Sequence, residues 1–334
     1  MILVTGGTGL VGSHLLYHLL LENDRVKAIH QKTSDLNTVK KVFSYYDSNF
    51  ESLFNRIDWV EADLADISAL DIAFESVTLV YHCAALVSFD PSDYQKMRRI
   101  NIEGTSNIVN FCISNSVKKL CFVSSIAAVE KKADSYIDES EKWNSSLVRS
   151  GYAITKYGAE MEVWRASQEG VDVVIVNPGI ILGSGFWHKG TGKIFGQIYK
   201  GFNFYTDGIT GYVGVKDVVQ IMQRLMHSNI KNERFILVSE NISFKDLFFK
   251  IADAFQKPRP NFRLSPFFGQ IAWRFDFIKS KIFRKKRIFS KNSARSSQSK
   301  MVYSSKKIES ALSYKFGSID DSIRSICKNF LMKS

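Results

Sequence analysis

Short apolar runs alternate with amphipathic stretches along the first part of the chain. The runs Ile2–Val4, Arg25–Ile29, Asp58–Val60, Leu79–Tyr81, Leu120–Val123 and Val173–Val176 predict strands, and Leu10–Leu21, Pro91–Ser114 and Tyr152–Glu169 predict helices. A strand that is apolar at nearly every position is buried on both faces. Strands of this kind, each followed by a helix, imply a parallel sheet covered on both sides, so the pattern predicts a doubly wound α/β fold. Past Asn177 the alternation loosens into a glycine-rich stretch, Gly183–Gly211. A strand and helix at Tyr212–Val215 and Lys216–His227 follow, then a strand at Phe235–Val238. From about Asn241 the chain reads as mostly helical. Residues 1–176 and 212–238 are therefore expected to form the sheet domain, and 177–211 and 239–334 a smaller capping region.

Composition narrows the class without naming a chemistry. With 334 residues, 45% hydrophobic content and 23% charge, the chain can bury one large core and a cap. The cysteines Cys83, Cys112, Cys121 and Cys327 are too scattered for a disulfide framework, and no C-x-x-C pair suggests a metal. An apolar strand starting at Met1 leaves no room for a secretory signal, and no apolar run reaches the length of a membrane span. A cytoplasmic protein is expected. The net charge of +12 is local: residues 263–307 hold thirteen Lys or Arg against Asp276 alone.

Three stretches carry the candidate chemistry. In Thr5-Gly6-Gly7-Thr8-Gly9-Leu10-Val11-Gly12 a strand meets a helix through glycines. Free N–H groups and the helix dipole then face the bend, which suits a dinucleotide pyrophosphate. Phe122-Val123-Ser124-Ser125-Ile126 ends a strand in two hydroxyls, a helix cap in its simplest reading. Tyr152 and Lys156 stand four residues apart on one helix face, a surface pair in its simplest reading. An ammonium near a phenol favours phenolate and lowers a pKa that starts near 10, which makes a tyrosine a general acid/base. Joint occurrence in this order favours the functional reading of all three.

With these stretches the chain resembles the extended short-chain dehydrogenase/reductase family, also called the NAD-dependent epimerase/dehydratase family. The likeness runs from Met1 to about Val238 and fades beyond it. It implies a Rossmann fold with a helical substrate cap, and an NAD(P)-dependent oxidoreductase. TGGTGLVG matches the family's TGxxGxxG, so Thr5, Gly6, Gly9, Leu10, Val11 and Gly12 would hold the pyrophosphate. Asp63 and Leu64 match the pair that meets adenine, while Cys83, Ala84 and Ala85, with His82 before them, match the small-residue turn lining the cleft. Asn101 in NxxGT would kink its helix and hold water. Ser125 would orient the substrate oxygen, with Ser124 as its neighbouring alternative. Tyr152 would pass the proton, and Lys156 would hold the nicotinamide ribose and tune Tyr152. Asn177-Pro178-Gly179-Ile180 would abut the nicotinamide.

The stretch Tyr152, Lys156, Ala159, Glu160 and Trp164 is closest to dihydroflavonol and cinnamoyl-CoA reductases and their microbial aldehyde/ketone reductase relatives. Glu160 and Trp164 are lineage marks in that comparison, a surface charge and a packing residue. Ile29-His30-Gln31-Lys32-Thr33-Ser34 has no acid before Asp35, so NADP is expected over NAD, with His30, Lys32 and Ser34 serving the extra phosphate. The implied substrate is a small, lipophilic carbonyl or alcohol. Nucleotide-sugar epimerases and dehydratases are the second reading, weakened because Thr210–Val215 lacks their Arg; Arg263 is the substitute to check. A cofactor-binding scaffold without turnover is the third, opposed by the intact Ser125, Tyr152 and Lys156. Family likeness implies a homodimer through 91–114 and 152–169. In 265–287, Phe268, Ile271, Phe275, Ile278 and Ile282 form one stripe, closed by Arg284–Arg287. The stripe either packs on the cap or docks, as a peripheral helix, on anionic lipid at the inner face of the membrane. Nucleic acid is not expected, because no base-reading module accompanies the charge.

Overall fold

A computed structural model describes residues 1–129, 136–141, 143–147, 149–265 and 297–332. Seven parallel strands form its central sheet: β1 (Ile2–Thr5), β2 (Val26–His30), β3 (Ile57–Glu61), β4 (Leu79–His82), β5 (Lys119–Val123), β7 (Asp172–Pro178) and β11 (Glu233–Leu237). Their order is β11-β7-β5-β4-β1-β2-β3, a doubly wound Rossmann arrangement as the pattern predicted. Alternate positions feed opposite cores. Ile2 and Val4 point to one face and Leu3 to the other; Val174 and Val176 oppose Val173 and Ile175. The first face is covered by α1 (Leu10–Glu22), α2 (Leu36–Phe43), α3 (Glu51–Phe54) and α9 (Val215–His227). On the second lie α4 (Ile67–Phe74), α6 (Gly104–Ser114) and α7 (Gly151–Gln168).

Two strands carry a buried lysine in their first two positions. Lys119 donates to Leu225 O and Ser228 O at 2.7 and 2.8 Å, where α9 ends. Lys27 does the same for Ile72 O and Glu75 O after α4, at 3.3 and 3.1 Å. The final carbonyls of a helix lack backbone donors, and a cation there satisfies them and the helix dipole together.

The cap has its own core, built by α8 (Gly192–Tyr199), α10 (Phe244–Ala254) and α12 (Ile319–Leu331) around Trp187, Phe195 and Tyr212. A three-stranded sheet joins it: β8 (Ile180–Leu182), β10 (Ile209–Gly214) and β12 (Glu240–Ser243). The strand at 209–214, whose residues 212–214 were expected with the sheet domain, pairs with β8 and β12 and not with the central sheet. Glycines decide the pairing: a Cβ on Gly179 would lie 2.4 Å from Gly211 O, so only glycine permits that approach. The helix that follows, α9, returns to the central sheet. Smaller pairs complete the cap: β9 (Phe204–Tyr205) with β13 (Phe262–Arg263), and β6 (Tyr136–Ile137) with β14 (Val302–Tyr303). Beside β14, α11 (Lys306–Leu312) packs Ile308 onto the first face of the central sheet.

The stripe from Phe268 to Ile282 lies outside the described residues, as does the basic run Arg284–Arg287. Among the described residues no helix is long and apolar enough to cross a membrane.

Candidate active site

Strands β1 and β4 are neighbours whose connections leave to opposite faces, so a crevice opens at their carboxyl ends. It is a cleft of about 800 Å³. Gly6 has φ +67°, and a Cβ there would sit 2.6 Å from Ala84 N. A Cβ on Gly12 would sit 2.2 Å from Gly6 O. Gly9 is different: its Cβ would meet only Gly6 O at 3.3 Å, and as N-cap of α1 it supplies no side-chain acceptor. The first N–H groups of α1, which follow the cleft-lining Gly9, therefore have no side-chain cap. Such an arrangement fits a dinucleotide's phosphates.

Of the residues expected to hold the cofactor, Gly6, Gly9, His30, Asp63, Leu64, Cys83, Ala84 and Ala85 line the cleft, whereas Leu10, Val11, Gly12, Ser124, Tyr152, Lys156, Asn177, Pro178, Gly179 and Ile180 are not among its lining. Ser34 joins the lining, its hydroxyl 3.2 Å from Thr8 Oγ1. Three further residues also lie outside it. Thr5 is fully buried, sharing a 2.6 Å hydrogen bond with His82 Nδ1 and accepting from Ala84 N at 3.3 Å. His82 does not reach the cleft; its Nε2 meets Thr105 Oγ1 at 2.9 Å, tying β4 to α6. Burial, aided by the Lys156 charge, pushes the His82 pKa down to about 3, so the ring stays neutral. Lys32 is exposed and outside the lining, because the turn after β2 carries it toward solvent.

Other cations take its place. Lys96 and Arg99 line the cleft, and the cap contributes Phe186, Trp187, His188 and Lys189. Gly185, with φ +107°, lets this segment press against Val42 of α2, where a Cβ would lie 2.5 Å from the valine. Trp187 then donates to Tyr45 Oη at 3.3 Å. No local pattern announces these residues, since they reach the cleft only through cap packing.

The catalytic candidates gather at the ends of β5 and β7. Tyr152 opens α7, whose N-cap Ser150 accepts from Ala153 N. Its phenol lies beside the Ser125 side chain, close enough for the serine to favour the phenolate. Ser125 Oγ also accepts from Ala127 N at 3.1 Å, so the serine is both the cap of a short turn and the partner of Tyr152. Lys156 is 1% exposed; its Nζ donates to Val123 O at 2.7 Å and lies 4.3 Å from the Phe122 ring centroid. The expected lowering of the Tyr152 pKa is reversed. Burial raises it, and only the Ser125 side chain opposes the rise. The physical reason is that the Lys156 ammonium turns to a backbone carbonyl, and burial lowers its own pKa to about 8.

Asn101 also departs from its expected role. It sits in a π-turn, Arg99–Glu103, between α5 (Tyr94–Arg98) and α6, so the kink is real. Its side chain, however, accepts from Leu86 N at 2.7 Å and donates to Leu86 O and Thr155 Oγ1 at 3.0 and 3.1 Å. Both amide protons are engaged by protein, leaving Asn101 to fix the strand exit against α7 rather than to donate to a water.

Ser124 and Glu160 form a unit that the spacing did not reveal. Glu160 is fully buried, against the expected surface charge. Ser124 Oγ donates to its Oε1 at 2.5 Å and Asn177 Nδ2 at 2.6 Å, while Arg234 Nη1 approaches Oε2 at 3.7 Å. Asn177 Nδ2 also donates to Ser125 O at 2.9 Å. The Ser124 hydroxyl is thus committed to Glu160 and Ser125 is the one that faces Tyr152. Asn177 and Pro178 end β7, Gly179 donates to Leu237 O at 2.9 Å, and Ile180 begins β8. Trp164 is partly buried against the second core. Among the described residues no group of His, Cys, Asp and Glu could hold a metal ion.

The family model described as male sterility protein, an NAD-binding domain, matches residues 4–235. A dihydroflavonol 4-reductase, so named in Synechocystis, is 30% identical over 266 residues, 77% of this chain and 73% of that protein. Sterol demethylase protein B of Methylococcus capsulatus is 26% identical over 268 residues, 79% and 77% of the two chains. The crystal structure of gox2253 superimposes with a TM-score of 0.83 at 25% identity, covering 100% of this chain and 98% of that one. A glycine cradle at the switch point and a Tyr and Lys one helical turn apart agree with a family match over residues 4–235: the chain belongs to the male sterility protein family of NAD-binding, extended short-chain dehydrogenases/reductases.

Proposed function

We propose that the protein moves a hydride between NADP(H) and the carbonyl or secondary-alcohol carbon of a small lipophilic substrate. The observation that carries this reading is that Ser125, just after β5, stands beside Tyr152 on the helix that buries Lys156. When bound, a nicotinamide supplies or takes up the hydride. Tyr152, its pKa raised, keeps its proton at neutral pH and is the donor to a carbonyl oxygen being reduced. Ser125 accepts from Ala127 N, which leaves its own proton free to point at the same oxygen. Lys156 supplies positive charge beneath both.

Val87 and Phe89 support an apolar substrate. They remain 58% and 56% exposed, and the Phe89 ring meets Tyr152 edge-on at 6.1 Å. Relatives named for a dihydroflavonol and a sterol point the same way. NADP is favoured because β2 ends without an acid, Asp35 is occupied capping α2, and Lys189 brings a cation to the cleft. A nucleotide-sugar substrate is disfavoured: β10 offers no cation, and Arg263 pairs with Asp207 at an exposed edge of the cap. Titration with NADPH and NADH, followed by a panel of lipophilic aldehydes and ketones, tests the reading. Tighter NADPH binding and turnover of an apolar carbonyl support it; binding of neither nucleotide overturns it.

A further inference from the structure

Glutamate is among the residues least often buried, and an isolated buried carboxylate is costly. Glu160 is nonetheless fully enclosed: Ser124 after β5 and Asn177 on β7 donate to Oε1, and the Arg234 guanidinium on β11 lies 3.7 Å from Oε2, which accepts no hydrogen bond. These two donors and the guanidinium favour the ionised form, even though burial itself raises the Glu160 pKa. Arg234 is held in turn, donating to Glu139 O at 2.7 Å and to Glu141 O at 2.8 Å. One helical turn before Glu160 on α7 lies Lys156.

The surroundings of Lys156 single out this carboxylate. From β5 it meets the Val123 carbonyl and the Phe122 ring. From the end of β4 it faces Cys83, whose thiol burial pushes up to about 12, and His82, a neutral imidazole. On its own helix Tyr152 keeps its proton. Arg234 stands behind Glu160 as the next positive charge. Glu160 is the one carboxyl group among those acting on Lys156.

We propose that Glu160 is a positioning residue for the site, a buried carboxylate that keeps Lys156 protonated and fixes the Ser125 backbone through Asn177. The role rests on reading Tyr152 and Lys156 as the proton-handling pair. Without the carboxylate, Lys156 would face burial and the Arg234 charge together, and would shed its proton at lower pH. Glu160→Gln keeps the shape and an acceptor for Ser124 but removes the charge. Ser124→Ala removes a hydrogen bond and keeps the charge.

The test reads Lys156 directly and needs neither cofactor nor turnover. In the cofactor-free full chain labelled with ¹³Cε lysine, the resonance lost in Lys156→Gln is titrated. The wild type should have its midpoint near the value of about 8. Glu160→Gln should lower it by roughly one unit or more, and Ser124→Ala should leave it in place. An unmoved midpoint in folded Glu160→Gln overturns the proposal. If that variant does not fold, infrared spectra of the ¹³C-glutamate-labelled wild type decide: a buried carboxylate band at neutral pH supports the proposal, and a buried carboxylic-acid band overturns it. Failure to bind NADPH would instead count against the proposed function alone.

Discussion

Two adjacent serines close β5, and what stands behind each sorts them. Ser124 is drawn inward by Glu160, while Ser125 meets Tyr152. Replacing Ser125 by Ala should therefore lower turnover about 10²-fold, the order expected when one donor to a developing oxyanion is removed. Ser124→Ala should leave turnover within a few-fold and lower stability by about 1–2 kcal/mol, because Glu160 loses a buried donor. Steady-state kinetics beside urea unfolding of both variants checks the pair. Equal kinetic losses would mean the two hydroxyls are not separated as described. At this scale the glycines, Ser125, Tyr152 and Lys156 were legible because each belongs to a contiguous stretch. Glu160 was not, since its partners come from β5, β7 and β11 and sequence spacing shows only its own helix.

Elements were read well where burial is local and continuous. Strands apolar at every position and the helix after the glycine turn appear nearly where the pattern put them, because such runs fit only the interior of a covered sheet. The pairing of the strand at 209–214 was not legible, because its sheet is chosen by Gly179 and Gly211, far apart in sequence and in contact in the fold. The first turn offers the sharpest test of an element. A Cβ at Gly12, 2.2 Å from Gly6 O, would force α1 away from the loop that presents its N–H groups. Gly12→Ala should weaken NADPH binding at least tenfold while leaving far-ultraviolet circular dichroism close to wild type. Unchanged affinity would place the phosphates elsewhere.

Across the whole molecule, acid should act through histidines buried in neutral form. Burial pushes His14 and His18 down to about 4, and His82 to about 3. The unfolded chain titrates these groups near 6.5, so between that value and the folded one it binds more protons than the fold. Their stabilisation is complete above pH 6.5 and is lost as pH falls toward 4. His14 alone, joined to Tyr46 Oη at 2.5 Å, should account for on the order of 3 kcal/mol over that window. Urea midpoints at pH 7, 6, 5 and 4 should fall step by step; a level midpoint from pH 7 to 5 would contradict this. The junction of cap and sheet is also where sequence reading ran out, because Trp187 and Lys189 reach the cleft only once the cap has folded against α2. The central claim is that Tyr152 gives a proton to a carbonyl reduced at this cleft. Deuteride transfer from 4-deuterated NADPH to a lipophilic ketone, followed by mass spectrometry in wild type and Tyr152→Phe, tests it most directly. The account predicts labelled alcohol from the wild type and a loss of about 10²–10⁴-fold in Tyr152→Phe, with NADPH affinity nearly unchanged; transfer at the wild-type rate by Tyr152→Phe would contradict it.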